Sequence, residues 1–345
     1  MNTALTERYR PRNFDNIIGQ EHVVKMLQKY IELKLHMPII LNGPYGCGKT
    51  TLATIFATQF HPTETHEAIW QNAHPGVIKI NAANKTGVKQ ITELLETVQY
   101  QPLQGLNKVY IIDEAHTLSH AAYNAFLETL EFLPSNTYFI FATTDKNKII
   151  DPLRSRCFQL NLHSVSNQEI IARLAKIAAQ ENLKTSPEIL DIIATHSNGS
   201  VRDAVKYLEQ TQMINPVIKE VEEMLEIPST VEIHKILHII TSADYEQISS
   251  TVDSIKAPPV NVLIKLIQTI TQDKNAAKWV PVLQTILDTF EVIRFGLHDT
   301  LILKIVLSKA TYVYRLAQGL KIDPPTANDQ FEHEVKMLFP SAKKI

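Results

Sequence analysis

The chain has 345 residues, 44% hydrophobic and 20% charged, which suits a folded soluble protein of two or three domains. No apolar run approaches the roughly 20 residues that span a bilayer, and the N-terminus has no apolar signal core, so a cytoplasmic protein is expected. Two distant cysteines, Cys47 and Cys157, exclude a disulfide framework and a four-cysteine zinc site, and a net charge of −2 does not by itself point to nucleic acid.

In chain order, residues 5–20 read as an irregular lead-in, because Pro11 and Gly19 interrupt any regular element. Tyr9, Arg10, Pro11 and Ile17 combine a flat ring, a rigid turn and apolar surface, a composition that suits a slot for a planar base. Residues 21–35 repeat apolar positions every three or four residues and predict a helix. A short apolar strand follows at 38–42, and then Gly43-Pro-Tyr-Gly-Cys-Gly-Lys-Thr-Thr51.

Gly43, Gly48, Lys49 and Thr50 fit the phosphate-loop pattern G-x-x-x-x-G-K-[ST], with a strand before and a helix after it. Glycines allow left-handed turns that aim several backbone N–H groups into one concavity, and the next helix adds its positive end. Gly43, Pro44, Gly46, Cys47, Gly48, Lys49, Thr50 and Thr51 are therefore candidate nucleotide contacts. Lys49 suits the β- and γ-phosphates, and the Thr50 hydroxyl suits Mg²⁺. A nucleoside triphosphate and Mg²⁺ are the expected ligand and cofactor.

Residues 60–76 read as a connection. Their three histidines, His61, His66 and His74, lack the spacing of a metal site. A strand is predicted at 76–81 and a helix within 84–100, with Thr86 as its cap. Lys85 and Lys89 sit at that helix start, where cations oppose the dipole unless a phosphate joins them, so they are candidate phosphate contacts. Residues 109–112 form a strand buried on both faces that ends in Asp113 and Glu114. Asp113 would hold Mg²⁺ and Glu114 would polarise the attacking water. A helix follows at 119–132 and a buried strand at 138–142, ending in Thr143-Thr144. Arg154 and Arg156 precede a last strand at 158–162. Either could act as a cation on a transferring phosphoryl group.

Beyond 163 only helices are predicted. Ser166-x-x-Glu169 and Thr185-x-x-Glu188 read as capping boxes for helices at 167–182 and 187–197, and Ser200 as the cap of a third at 201–213. Arg202 then falls in a first helical turn, the wrong end for an unpartnered cation. Asn215-Pro216 reads as a boundary, with a helical remainder broken around Pro258-Pro259 and Pro324-Pro325. Residues 1–60 hold seven Lys/Arg against four Asp/Glu, and residues 216–260 three against eight, so any nucleic-acid site belongs to the N-terminal portion.

These motifs together resemble the AAA+ clamp-loader ATPases. The gamma/tau branch of bacterial DNA polymerase III is matched most closely, and the small subunits of replication factor C next. The resemblance rests on Tyr9-Arg10-Pro11, Phe14, Gly19-Gln20, the phosphate loop, residues 109–114, Ala142-Thr143-Thr144-Asp145, Ser155-Arg156-Cys157 and Gly199-Ser-Val-Arg-Asp-Ala204. It covers about residues 4–215.

The resemblance implies an α/β P-loop fold with a parallel five-stranded sheet in the order 5-1-4-3-2. It implies a nucleotide-binding domain at 1–162, a three-helix lid at 163–215 and a helical collar at 216–345 that joins a ring of five subunits. Thr144 would be the sensor-1 residue, Arg202 the sensor-2 residue, and Arg156 an arginine finger acting on a neighbour's ATP. Lys85 and Lys89 would track the DNA backbone. The implied partners are other loader subunits, a sliding clamp, for which the helix at 119–132 is a candidate contact, and primer–template DNA. The zinc module of gamma/tau chains is missing from 60–76, and no tau-like extension follows the collar. A DEAH-type helicase would need a second sheet, a branch-migration motor a winged domain, and a non-hydrolysing scaffold would not need Lys49, Thr50 and Glu114 together.

Overall fold

The computed structural model describes residues 3–84, 88–100, 107–214, 216–242, 244–273, 275–293 and 300–319. Residues up to 216 form one compact unit and those from 217 another. The first unit is built on five parallel strands: β1 (Ile39–Asn42), β2 (Val77–Asn81), β3 (Lys108–Asp113), β4 (Thr137–Thr143) and β5 (Phe158–Asn161). They lie in the order β2-β3-β4-β1-β5, which read from the other edge is the expected 5-1-4-3-2.

Strand periodicity explains why this sheet is covered on both faces. Successive side chains point to opposite sides. Ile39, Leu41, Val109, Ile111, Tyr138 and Ile140 accordingly face one core with Leu27, Tyr30, Leu52 and Phe56. Ile40, Tyr110, Ile112, Phe139 and Phe141 face another with Ile91, Tyr123 and Phe126. The helices supplying those partners are α2 (Glu21–Glu32) and α3 (Lys49–Thr58) on the first face, and α5 (Val88–Glu96) and α6 (His120–Glu131) on the second. In chain order the first unit also contains α1 (Leu5–Arg8), α4 (His66–Trp70) and α7 (Asp151–Arg156). Each large side chain so buried contributes about 1.5–3 kcal/mol of transfer free energy. The cost of closing the long βα crossovers is thereby offset by two cores rather than one.

Three helices complete this unit: α8 (Asn167–Glu181), α9 (Pro187–His196) and α10 (Val201–Thr211). Ser166 and Glu169 form the expected reciprocal capping box. The cap of α9 is Ser186, not the expected Thr185, and its side chain accepts from the Ile189 N–H. Pro187 decides this. Its fixed φ and missing N–H suit the first helical position, which makes the residue before it the cap.

Two other expectations are corrected. The supposed connection at 60–76 contains a 3₁₀ turn (Thr63–Thr65) and α4, because Ile69 is wholly buried and anchors one helical turn. The lead-in at 5–20 contains α1 and a 3₁₀ turn (Phe14–Asn16), pinned by buried Leu5 and Phe14. The expected Thr86 cap lies outside the described residues.

The second unit shows six helices among its described residues. They are α11 (Ile218–Met224), α12 (Thr230–Ser242), α13 (Glu246–Ser254), α14 (Pro259–Thr271), α15 (Val280–Ile293) and α16 (Thr300–Ala317). They enclose an aliphatic core that includes Ile236, Ile240, Leu266, Ile286 and Leu307, with Trp279 at its margin. Among the described residues, no helix is long and apolar enough to cross a membrane.

Candidate active site

A cavity of about 420 Å³ opens at the C-terminal ends of the strands, where the chain leaves β1, β2 and β3. Open parallel sheets bind ligands at this edge because loops and helix N-termini converge there. β1 ends at Asn42, and the Gly43 N–H bonds the Thr143 carbonyl at 3.1 Å, tying the loop to β4. Gly46 and Gly48 take φ of +73° and +102°, a region that disfavours side chains. A Cβ on Gly48 would meet nothing within 4 Å, so the loop there borders open cavity. No side chain caps α3, which begins at Lys49, and its first N–H groups carry the positive end of the helix.

Lys49 is 6% exposed, and its ammonium donates to the carbonyls of Gly43 and Pro44 at 2.8 Å each. An ammonium has three donors, so one remains for a ligand. The Thr50 hydroxyl donates to Asp113 Oδ2 at 2.7 Å, which joins the phosphate loop to the end of β3. The strand stops at Asp113. Glu114 turns to φ +51°, its N–H bonds Asp113 Oδ1 at 3.0 Å, and its carboxylate lies 3.4 Å from His116 Nδ1.

Tyr9, Arg10, Pro11 and Ile17 line the same cavity, with Cys47, Gly48, Thr51 and Arg202. Arg10 Nε donates to Thr51 Oγ1 at 3.2 Å, and burial lowers its pKa. The Arg10 and Arg12 guanidinium groups lie 5.1 and 4.8 Å from the Trp70 ring centroid. Tyr9 OH donates to Glu181 Oε1 at 2.5 Å, and Arg173 Nη2 donates to the Tyr9 carbonyl at 2.6 Å, so the lead-in is strapped to α8. Burial raises the pKa of the Cys47 thiol, which therefore contributes packing rather than a nucleophile.

Several residues fall elsewhere. Thr144 is exposed and does not line the cavity. Its neighbour Thr143 is buried, with its hydroxyl 3.2 Å from His116 Nδ1. β4 ends at Thr143, so Thr144 belongs to the loop beyond the strand. Arg156 lies on α7 outside the cavity and pairs with Glu131 at 3.2 Å. Lys89 is exposed and pairs with Glu93 at 3.8 Å, while Lys85 is outside the described residues. Among the described residues no cluster of His, Cys, Asp or Glu could hold a metal by itself. Sequence reasoning missed Tyr45, Asn81 and Arg173 in the lining. Asn81 was detectable as a polar strand end beside Asp113, whereas Arg173, in mid-helix, left no signal.

The geometry is that of a polyphosphate cradle with a hydroxyl–carboxylate pair beside it. The gamma subunit of Buchnera aphidicola subsp. Schizaphis graminum is 37% identical over 241 residues, 65% of this chain and 66% of that protein. The tau subunit of Bacillus subtilis is 36% identical over 240 residues, covering 66% of this chain and 43% of that one. The tau/gamma subunit of Haemophilus influenzae is 34% identical over 253 residues, 68% and 37% respectively. The chain is similar to the DNA polymerase III gamma/tau subunits.

This gamma/tau-like chain spans between about a third and two thirds of the length of those relatives. A family model described as DNA polymerase III, delta subunit, also matches residues 19–166, from just before α2 to the cap of α8. The Holliday junction branch-migration motor of Thermotoga maritima overlays 94% of this chain and 98% of its own at 20% identity, with a TM-score of 0.48.

Proposed function

We propose that this chain is an ATP-hydrolysing subunit of a sliding-clamp loader. The observation that carries the reading is a division of labour. Lys49, the Thr50–Asp113 pair, Glu114 and Arg202 gather around one cavity, while Arg156 stands outside it on α7. A cleft lined by Lys49 and Arg202, in a chain that carries Arg156 exposed on another helix, suits a ring in which each subunit completes its neighbour's site.

On this reading the loop N–H groups and Lys49 hold the phosphates of ATP, and Tyr9, Arg10, Pro11 and Ile17 enclose its base and sugar. Thr50 and Asp113 would hold Mg²⁺, which when bound neutralises charge between the β- and γ-phosphates. The residues fit it, because a hydroxyl and a carboxylate already meet there. Glu114 orients and polarises the attacking water. Arg202 senses the γ-phosphate, and Arg156 reaches the ATP of the next subunit. Lys85 and Lys89 meet the DNA backbone, the helices from 217 onward hold a ring of five with other loader subunits, and the substrates are a ring-shaped clamp and primer–template DNA.

Clamp loading onto primed circular DNA, with purified loader subunits and clamp, tests this directly. ATP-dependent loading is expected, with hydrolysis rising when clamp and DNA are both present. In that complex Arg156→Ala should slow hydrolysis about a thousandfold, yet leave ATP binding by the isolated chain unchanged. Hydrolysis indifferent to clamp and DNA, or loss of binding in the isolated Arg156→Ala chain, would sink the reading.

A further inference from the structure

We infer that Tyr45, a phosphate-loop residue outside the G-x-x-x-x-G-K-[ST] consensus positions, is a positioning residue for Arg202. The inference rests on the role given to Arg202 in the proposed function. Arg202 is the second residue of α10, so its charge sits in a first helical turn, where the dipole opposes it. No ion pair to Arg202 occurs among the described residues. Its Nη1 donates to Tyr45 OH at 3.3 Å, and its Cζ lies 6.0 Å from the centroid of the Tyr45 ring. The aromatic face attracts the guanidinium without neutralising it, and the phenol oxygen uses one of five donors. The others stay free for a phosphate.

The backbone underneath is equally specific. A Cβ on Gly46 would come within 1.9 Å of Ser200 Oγ, so the loop is in direct contact with the cap of α10. Ser200 is held in turn by accepting from the Asp203 N–H. The start of α10 is thus seated on the loop one residue after Tyr45. Arg202 and Tyr45 both line the cavity. A long exposed arginine loses rotamer entropy when it engages a ligand, and a contact that restricts it beforehand reduces that loss. Tyr45 therefore favours nucleotides whose terminal phosphate Arg202 reaches, and does nothing for those that lack it.

The chain, titrated with ATPγS and with ADP, supplies the test. Arg202→Ala should lower the ATPγS-over-ADP preference. Tyr45→Ala should lower it about tenfold with ADP affinity unchanged, and Tyr45→Phe, which keeps the ring, about threefold. Adding Tyr45→Ala to Arg202→Ala should change nothing more. Tyr45 is 57% exposed, so its loss leaves the core intact, and ADP affinity reports on the loop itself. Equal loss of both nucleotides, no loss of either, or tighter ATPγS binding in Tyr45→Ala would overturn the inference. A preference altered by Arg202→Ala but not by Tyr45→Ala sinks Tyr45 alone. A preference untouched by Arg202→Ala sinks the role proposed for Arg202, and the inference with it.

Discussion

The two ends of the sheet are built for opposite purposes. At the C-terminal end Asn42, Asn81, Asp113 and Thr143 finish four of the strands, glycines hold the loop open, and donors such as Lys49 keep unused capacity. At the N-terminal end the space is closed by rings. Tyr138 stacks on Phe60 at 4.2 Å and on His36 at 5.3 Å, and the His61 and His74 rings meet edge-on at 4.4 Å. Lys108 is spent there on the carbonyls of Thr97 and Tyr100. His61 is buried with neither ring nitrogen hydrogen-bonded. A polar group at the open end can serve a ligand, whereas one at the closed end can only cost or conserve stability.

The largest effect that separates the two ends is Lys49→Ala. Removing this ammonium should weaken ATP binding more than a hundredfold, the loss of a charge-assisted phosphate contact in a recessed site. The thermal midpoint should move by no more than a few degrees, since Lys49 lines the cavity and water can take the place of its ammonium at the two carbonyls. Isothermal titration paired with thermal melts checks both halves. Near-normal affinity would remove the loop from the site. A collapsed melt would mean that Lys49 is structural and the comparison false at its strongest point.

Gly76→Ala is the counterpart at the closed end. Gly76 needs no positive φ, so the constraint is space alone. An added Cβ would lie 2.8 Å from His61 Cε1 and 2.9 Å from the Asn107 carbonyl oxygen. The ring could shift, but the backbone oxygen cannot without disturbing the β2–β3 pairing that Val109 makes through the Gly76 carbonyl. A loss of about 1–3 kcal/mol is expected, the usual cost of overpacking. Urea unfolding should show it while ATP affinity stays within twofold. A mutant as stable as the parent would show the closed end to be looser than its ring contacts imply.

How much of this was legible beforehand follows the same division. The strands could be read because doubly buried apolar runs are short and bounded by turn residues, whereas their order came only with the family resemblance. The phosphate loop and Asp113-Glu114 could be read because their chemistry lies in consecutive residues. What could not be read depends on residues distant in sequence. Nothing near Tyr45 announces Arg202, and nothing near Gly46 announces Ser200. Thr143 and Thr144 are alike as letters, and only the direction of β4 tells which hydroxyl faces His116. The turn at 66–70 stayed hidden because one buried residue, Ile69, anchors it, and one apolar position makes no period. Beyond 217 the Ile, Leu and Val spacing was enough to predict helices, but aliphatic side chains are interchangeable partners, so which helix packs on which was not.

The smallest effect concerns His61 and acid. Burial, with lesser contributions from His74 and His66, lowers its pKa from 6.5 to about 4. A group with a depressed pKa binds its proton more readily in the unfolded chain. Above pH 6.5 both states are neutral at His61 and it has no effect. As the pH falls from about 6.5 toward 4, the unfolded chain takes up a proton that the folded chain refuses, and stability declines by on the order of 3 kcal/mol. His61→Phe keeps a ring and removes the titration, so its unfolding free energy should fall less steeply across that window, in urea titrations repeated from pH 7 to 4. ATP affinity at pH 7 should match the parent. Equal slopes in the two proteins would mean that the imidazole finds a proton acceptor after all, and the closed end would then need to be redrawn around that partner.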